Sequence, residues 1–160
     1  MTQNNSIDTI EVRKDYYRSG DLWRETPYKK GKRHGIAKWY YESGALQTET
    51  PYVNGKLYGI RKEYYRSGAI YCETPYKNGE RQGIEKWYYE TGTLLWEVPY
   101  VNGQMHGIEK AYYESGALRQ ETPYVNGERH GIARGYDKEK LNIEHLVLYK
   151  EDRKVNIIKI

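Results

Sequence analysis

Apolar and polar positions along this chain recur with a period of 24 residues. A Tyr-Tyr pair begins at Tyr16, Tyr40, Tyr64, Tyr88 and Tyr112, and Tyr136 stands where a sixth would start. Between the pairs run an aliphatic column (Leu22, Leu46, Ile70, Leu94, Leu118) and an isoleucine column (Ile36, Ile60, Ile84, Ile108, Ile132). Such self-similarity is read first, because a missed period misassigns the whole fold. Five units follow, 16–39, 40–63, 64–87, 88–111 and 112–135, each close to YYxSGxLxxETPYxNGxxxGIxK.

Gly or Pro punctuates every unit at short intervals, and no 3.6-residue apolar period survives, so the pattern predicts strands joined by turns. In the second unit the strands are expected over 45–52 and 60–65, with Val53-Asn54-Gly55 opening the loop between them. Tyr41 to Ala45 suits a three-residue hairpin loop whose third residue, Gly44, takes positive φ. That loop pairs Tyr41 with Ala45, Trp39 with Gln47 and Ala37 with Glu49 on one face, while Tyr40 and Leu46 share the other. The Leu, Ile and Tyr columns are expected to be buried where one hairpin stacks on the next. Pro51 and its equivalents cannot donate a ladder hydrogen bond and belong at a strand end, a bulge or an edge.

The ends depart from the repeat, as caps of a solenoid should. Residues 1–15 are expected to cap the first unit, with an edge strand over 9–17. Residues 136–160 are expected to form a capping hairpin from 141–149 and 155–160 around a charged turn at 150–154, covering an edge that would otherwise template pairing.

Composition sharpens this picture. Phe is absent beside 19 Tyr, 4 Trp and 16 Gly, and the five prolines fall in one column led by Pro27. A 38% hydrophobic and 30% charged chain is too polar for a thick two-layer core, while 14% aromatic residues is too many for disorder. No stretch approaches the roughly 18 apolar residues of a membrane-spanning helix. Residues 1–10 carry neither a basic nor an apolar leader region, so a cytoplasmic location is expected. Cys72 is the one cysteine, which excludes an internal disulfide or a multi-cysteine metal site.

The runs PYKKGKRHGIAKWYYESG (27–44), PYVNGKLYGIRKEYYRSG (51–68) and PYVNGERHGIARGYD (123–137) resemble MORN repeats, and specifically the bacterial, antitoxin-like variant of that repeat. The second glycine of the HGxG pattern is replaced by Ala37, Arg61, Glu85, Glu109 and Ala133, as in that variant class. The resemblance implies an all-β, elongated, single-layer antiparallel meander of five stacked hairpins that acts as a binding scaffold. It also implies a toxin or effector as partner, neutralised by occlusion as antitoxins and immunity proteins do.

The repeated polar columns point away from catalysis. Glu25, Glu49, Glu73, Glu97 and Glu121 recur too regularly for an acid–base pair, which needs one pocket holding two pKa values apart; each is expected to make the same local hydrogen bond. His34, His106 and His130 share a column with Tyr58 and Gln82, with no converging ligands for a metal. Cys72 shares a column with Arg24, Thr48, Trp96 and Gln120 and reads as an incidental strand residue. No phosphate loop, GxSxG or HExxH occurs. Neither an enzyme, a cofactor nor a metal is expected.

Positions that vary between units are free to be shaped by a partner. Trp39 with Gln47, Glu63 with Tyr71, Trp87 with Leu95 and Ala111 with Arg119 form one such row, which Trp23 continues. Its Trp23, Trp39, Gln47, Glu63, Tyr71, Trp87, Leu95 and Arg119 are the candidate partner-binding residues, being rich in the types that dominate interface hot spots. The competing structural reading is that these rings fill the sheet's concave side. Arg33, Leu57, Arg81, Met105 and Arg129 form a second varying row.

Charge adds a direction. The first unit carries seven cations against Asp21 and Glu25, 7 − 2 = +5, above the +4 of the whole chain. Arg24, Lys29, Lys30, Lys32, Arg33 and Lys38 are its candidate basic patch. The fourth unit sets Lys110 against Glu90, Glu97 and Glu109, a net −2, so the molecule is electrically polar and steers a charged partner. Single-stranded nucleic acid and an anionic membrane surface are alternative targets, but the basic stretch is short. A protein partner is expected, and an assembly scaffold is the alternative function.

Overall fold

The computed structural model describes residues 9–138 and 142–159, so the outer parts of both expected caps, 1–8, Leu141 and Ile160, lie outside the described residues. The described residues form one open antiparallel sheet of 18 strands and no helix. Six-residue strands are β1 (Glu11–Tyr16), β4 (Gly35–Tyr40), β7 (Gly59–Tyr64), β10 (Gly83–Tyr88), β13 (Gly107–Tyr112) and β16 (Gly131–Tyr136). Eight-residue strands are β2 (Leu22–Lys29), β5 (Leu46–Val53), β8 (Ile70–Lys77), β11 (Leu94–Val101), β14 (Leu118–Val125) and β17 (Ile143–Lys150). Two-residue strands β3 (Lys32–Arg33), β6 (Lys56–Leu57), β9 (Glu80–Arg81), β12 (Gln104–Met105) and β15 (Glu128–Arg129) line one long edge, and β18 (Arg153–Lys159) closes the C-terminal end. The long strands follow one another as β1-β2-β4-β5-β7-β8-β10-β11-β13-β14-β16-β17-β18. Twelve steps of roughly 4.8 Å give a sheet about 58 Å long.

Local chemistry sets the turns. Tyr41 N–H donates to Ala45 O and Gly44 N–H to Tyr41 O, both at 2.8 Å, with Gly44 at φ 84, which is the expected three-residue loop. At the opposite edge Asn54 (φ 51) and Gly55 (φ 86) make the doubly left-handed two-residue turn that Asn-Gly favours. Glu151 and Asp152 do the same at φ 50 and 61, so the C-terminal turn has two residues where five were expected. These tips stack: Gly55 N–H reaches Arg33 O, and the contact repeats down to Asp152 N–H on Arg129 O. The C-terminal hairpin therefore continues the repeat's own stacking.

The expected register fails one step beyond the loop. Tyr40 does face Leu46, but a bulge then adds Gln47, so Trp39 faces Thr48 and Ala37 faces Thr50 instead of Gln47 and Glu49. The same bulge occurs in β1–β2, β7–β8, β10–β11, β13–β14 and β16–β17, where it adds local twist to a sheet that must coil.

The two faces do different work. The first carries the thin core, made of Ala37, Thr50, Cys72, Thr74, Val98, Ala111, Thr122 and Ala133, with Glu85 among them. On the second, Tyr40, Tyr64, Tyr88, Tyr112 and Tyr136 donate their hydroxyls to Glu25, Glu49, Glu73, Glu97 and Glu121 at 2.7–3.0 Å. This ladder is the repeated hydrogen bond expected of the Glu column. The other tyrosine of each pair, from Tyr17 to Tyr113, donates to the backbone carbonyl 23 residues ahead. The isoleucine column, expected to be buried, instead stands 45–53% exposed on this second face, because nothing packs above a single layer.

Gly35, Gly59, Gly83, Gly107 and Gly131 take φ between 106 and 115 just where each strand resumes after the tip, and a Cβ at Gly107 would lie 3.1 Å from Pro99 Cγ. Gly107→Ala is expected to cost about 3 kcal/mol in urea unfolding, from backbone strain and overpacking together. Gly116→Ala, whose nearest neighbour is Thr93 Cγ2 at 3.9 Å, should cost about 1 kcal/mol.

Candidate functional site

The bulge decides which side chains share the first face. Trp39 and Trp87 reach it from the six-residue strands, and the bulge residues Gln47 and Tyr71 turn to the same side. Gln47 shares a trough with Trp39, and the Tyr71 ring meets Trp87 edge-on at 5.0 Å and 88°. Tyr65 meets Tyr71 edge-on from the other side at 5.0 Å. Trp23 lies 6.3 Å from Tyr17 with the Arg24 guanidinium 5.0 Å over its ring. Glu63 pairs with Arg61 at 2.7 Å, and Arg119 stands 6.0 Å over Trp96. Leu95 is half-buried at the fourth bulge.

Trp96 is the residue that sequence reasoning missed. It faces Trp87 on one neighbouring strand and Ala111 on the other, at the centre of the face. The only signal was a tryptophan standing in the mixed Cys72 column. Cys72 itself is 1% exposed, and burial pushes its thiol up to about 11, the opposite of an activated nucleophile.

Between Trp39, Tyr52, Arg61 and Tyr76 a trough of about 530 Å³ opens over a floor of Thr48 and Thr50. It exists because the floor is built of small side chains while its walls are rings and long polar chains. The second varying row borders this face. Arg33, Arg81 and Arg129 lie 5.3, 4.9 and 4.6 Å over the rings of Tyr52, Tyr100 and Tyr149, and Leu57 and Met105 alternate with them.

The basic patch is divided. Lys29, Lys30 and Lys32 gather at the first tip with His34 and Asn54, next to Arg33. Arg24 is turned to the first face, where it pairs with Asp15 at 2.7 Å, and Lys38 lies on the second face, 3.9 Å from Glu49.

Glu85 is the buried ion of the first face, 4% exposed. Thr74 Oγ1 donates to it at 3.0 Å and Trp87 Nε1 at 2.8 Å, with Arg81 Nε 3.8 Å away. Those partners satisfy the cost of burying a charge. Among the described residues no three His, Cys, Asp or Glu side chains gather as a metal site. No helix of the described residues is long and apolar enough to cross a membrane.

A family model described as MORN repeat variant matches residues 12–30, 33–54, 57–78, 81–102 and 105–126, one match for each of the hairpins β1–β2, β4–β5, β7–β8, β10–β11 and β13–β14. No curated protein matches the chain.

Proposed function

This chain belongs to the MORN repeat variant family, and on that premise we propose that it is a non-catalytic binding protein whose ring-bearing face engages another protein. The observation that carries the reading is the row of part-exposed rings, Trp23, Trp39, Tyr71, Trp87 and Trp96, on the face where the units differ from one another. The second face repeats one hydrogen-bond ladder five times and leaves little room for specificity. Aromatic anchors flanked by polar rim groups are the make-up of an interface centre.

The resemblance to antitoxin-like repeats narrows the partner to a toxin or effector in a bacterial cytoplasm, silenced by occlusion; that step is analogy. The tagged protein is to be purified from its host, and any stoichiometric partner expressed alone and together with it. A partner that arrests growth alone and is harmless in the pair is the expected result. Recovery of many substoichiometric proteins, none of them toxic, would remove the antitoxin reading and leave an assembly scaffold.

A further inference from the structure

The repeat supplies its own control for one side chain on the first face. Glu109 occupies the position of Glu85 one unit later, yet every group that satisfies Glu85 has been exchanged for an apolar one. Val98 replaces Thr74, Ala111 replaces Trp87 and Met105 replaces Arg81. Val98 and Ala111 are buried, so neither is an open slot for water to repair the loss from below. Among the described residues no cation lies within 4.0 Å of the Glu109 carboxylate, whereas Glu85 has Arg81.

The nearby cations are held elsewhere. Arg129 pairs with Asp152 at 2.8 Å and lies over the Tyr149 ring, and Arg119 stands over Trp96. Burial raises the Glu109 carboxyl above its ordinary value, and the Tyr124 hydroxyl and those two guanidinium charges only partly oppose it. The fourth unit, which ends with Glu109 and Ala111, is also the one with net negative charge. Around the half-buried Glu109 the setting is mixed: Thr122 faces it directly and the Tyr124 hydroxyl bonds to it, while Met105 and Ala111 flank it and Trp96 lies on the next strand, opposite Ala111.

We infer that Glu109 is the receptor for a cationic side chain of the partner, an arginine or lysine whose stem lies along Met105. The inference rests on the protein-binding reading of this face and names the chemistry that face selects. A half-buried carboxylate with no cation of its own within reach gains from a charge-assisted hydrogen bond supplied on binding. Self-complementation is prevented where Arg81 has become Met105, so the missing charge comes from outside the chain.

The test uses the purified full chain, isotopically labelled, and two tripeptide probes. One is blocked Gly-Arg-Gly, and the other carries citrulline, which keeps the shape of arginine without its charge. The arginine probe is expected to shift the amides of Glu109, Ala111 and Thr122 and the Trp96 indole N–H, while the citrulline probe leaves them unmoved. Glu109→Gln should weaken the arginine probe about tenfold. Met105→Arg, which restores a cation from within the chain, should abolish its binding and provides the reading should Glu109→Gln fold poorly. Equal shifts from both probes, or an affinity unchanged in both variants, would overturn the inference. Shifts confined to the Trp39–Arg61 trough would overturn it too while leaving the face as a binding surface. The face assignment itself fails only on the tryptophan variant argued below.

Discussion

As pH rises from 10 to 12 the sheet is expected to unfold cooperatively. Tyr40, Tyr64, Tyr88 and Tyr112 are each pushed up to about 12, first by burial and then by the hydrogen bond to a glutamate of the preceding hairpin. In the unfolded chain a phenol ionises near 10. A group whose pKa is raised by folding stabilises the fold fully below its unfolded value, and that stability drains away as pH climbs through the folded value. The physical event is the loss of the proton that bridges Tyr Oη and Glu Oε at 2.8–3.0 Å, leaving two negative oxygens in contact. The ladder links each hairpin to the one before it, so its failure separates repeats rather than loosening one residue. Far-ultraviolet dichroism followed together with tyrosinate absorbance checks this: the sheet signal should fall as the delayed phenols titrate. Tyrosines that all titrate near 10 with the dichroism intact beyond pH 12 would show that the ladder contributes nothing. Tyr88→Phe keeps the ring and removes one rung, and at neutral pH it should cost about 1.5 kcal/mol or somewhat more, as for a hydrogen bond to a charged acceptor.

The repeat, its turns and the single antiparallel sheet were legible in the sequence because each rests on local chemistry. Gly44 needs positive φ, Asn54-Gly55 prefers the two-residue turn, and no neighbour can change either requirement. The register past Tyr40 was not legible, because the bulge residue carries no common mark: Trp23, Gln47, Tyr71, Leu95 and Arg119 share nothing but position. Adding one residue moves Trp39 from Gln47 to Thr48, yet the bulge also turns Gln47 to the Trp39 side. The ring row therefore stays on one face for a reason different from the pairing that suggested it. Trp96 is hidden in a column with Arg24, Thr48, Cys72 and Gln120, whose mixed chemistry gives no sign that the position lies between Trp87 and Ala111. The isoleucines were misplaced because hydrophobicity states a preference for burial, and a one-layer sheet has only one covered face to offer. Glu109 could have been found from sequence alone, by noticing that Thr74, Trp87 and Arg81 all change together one unit after Glu85.

Trp39→Ala combined with Trp87→Ala is expected to lower affinity for the partner by more than 100-fold, each ring counting as a hot spot worth about 2 kcal/mol or more. The two positions are not equal in what else they hold. Trp39 walls the trough over Thr48 and Thr50, so its truncation enlarges an opening that already faces water. Trp87 stacks edge-on against Tyr71 and donates its indole N–H to Glu85. Its loss removes a ring contact worth about 1 kcal/mol and leaves one oxygen of a buried carboxylate without a donor, a further cost of about 1–3 kcal/mol. The double variant should thus melt lower than Trp39→Ala alone but keep its sheet dichroism at room temperature. Trp87→Phe separates the two roles, since it retains a ring for the partner while giving up the hydrogen bond to Glu85. Calorimetry of each variant with the purified partner, beside its thermal melt, distinguishes the outcomes. Affinity that collapses in a folded double variant places the partner on this face. A double variant that is unfolded at room temperature, with Trp39→Ala binding normally, would make the rings part of the thin core, and the recognition surface would then have to lie elsewhere on the sheet.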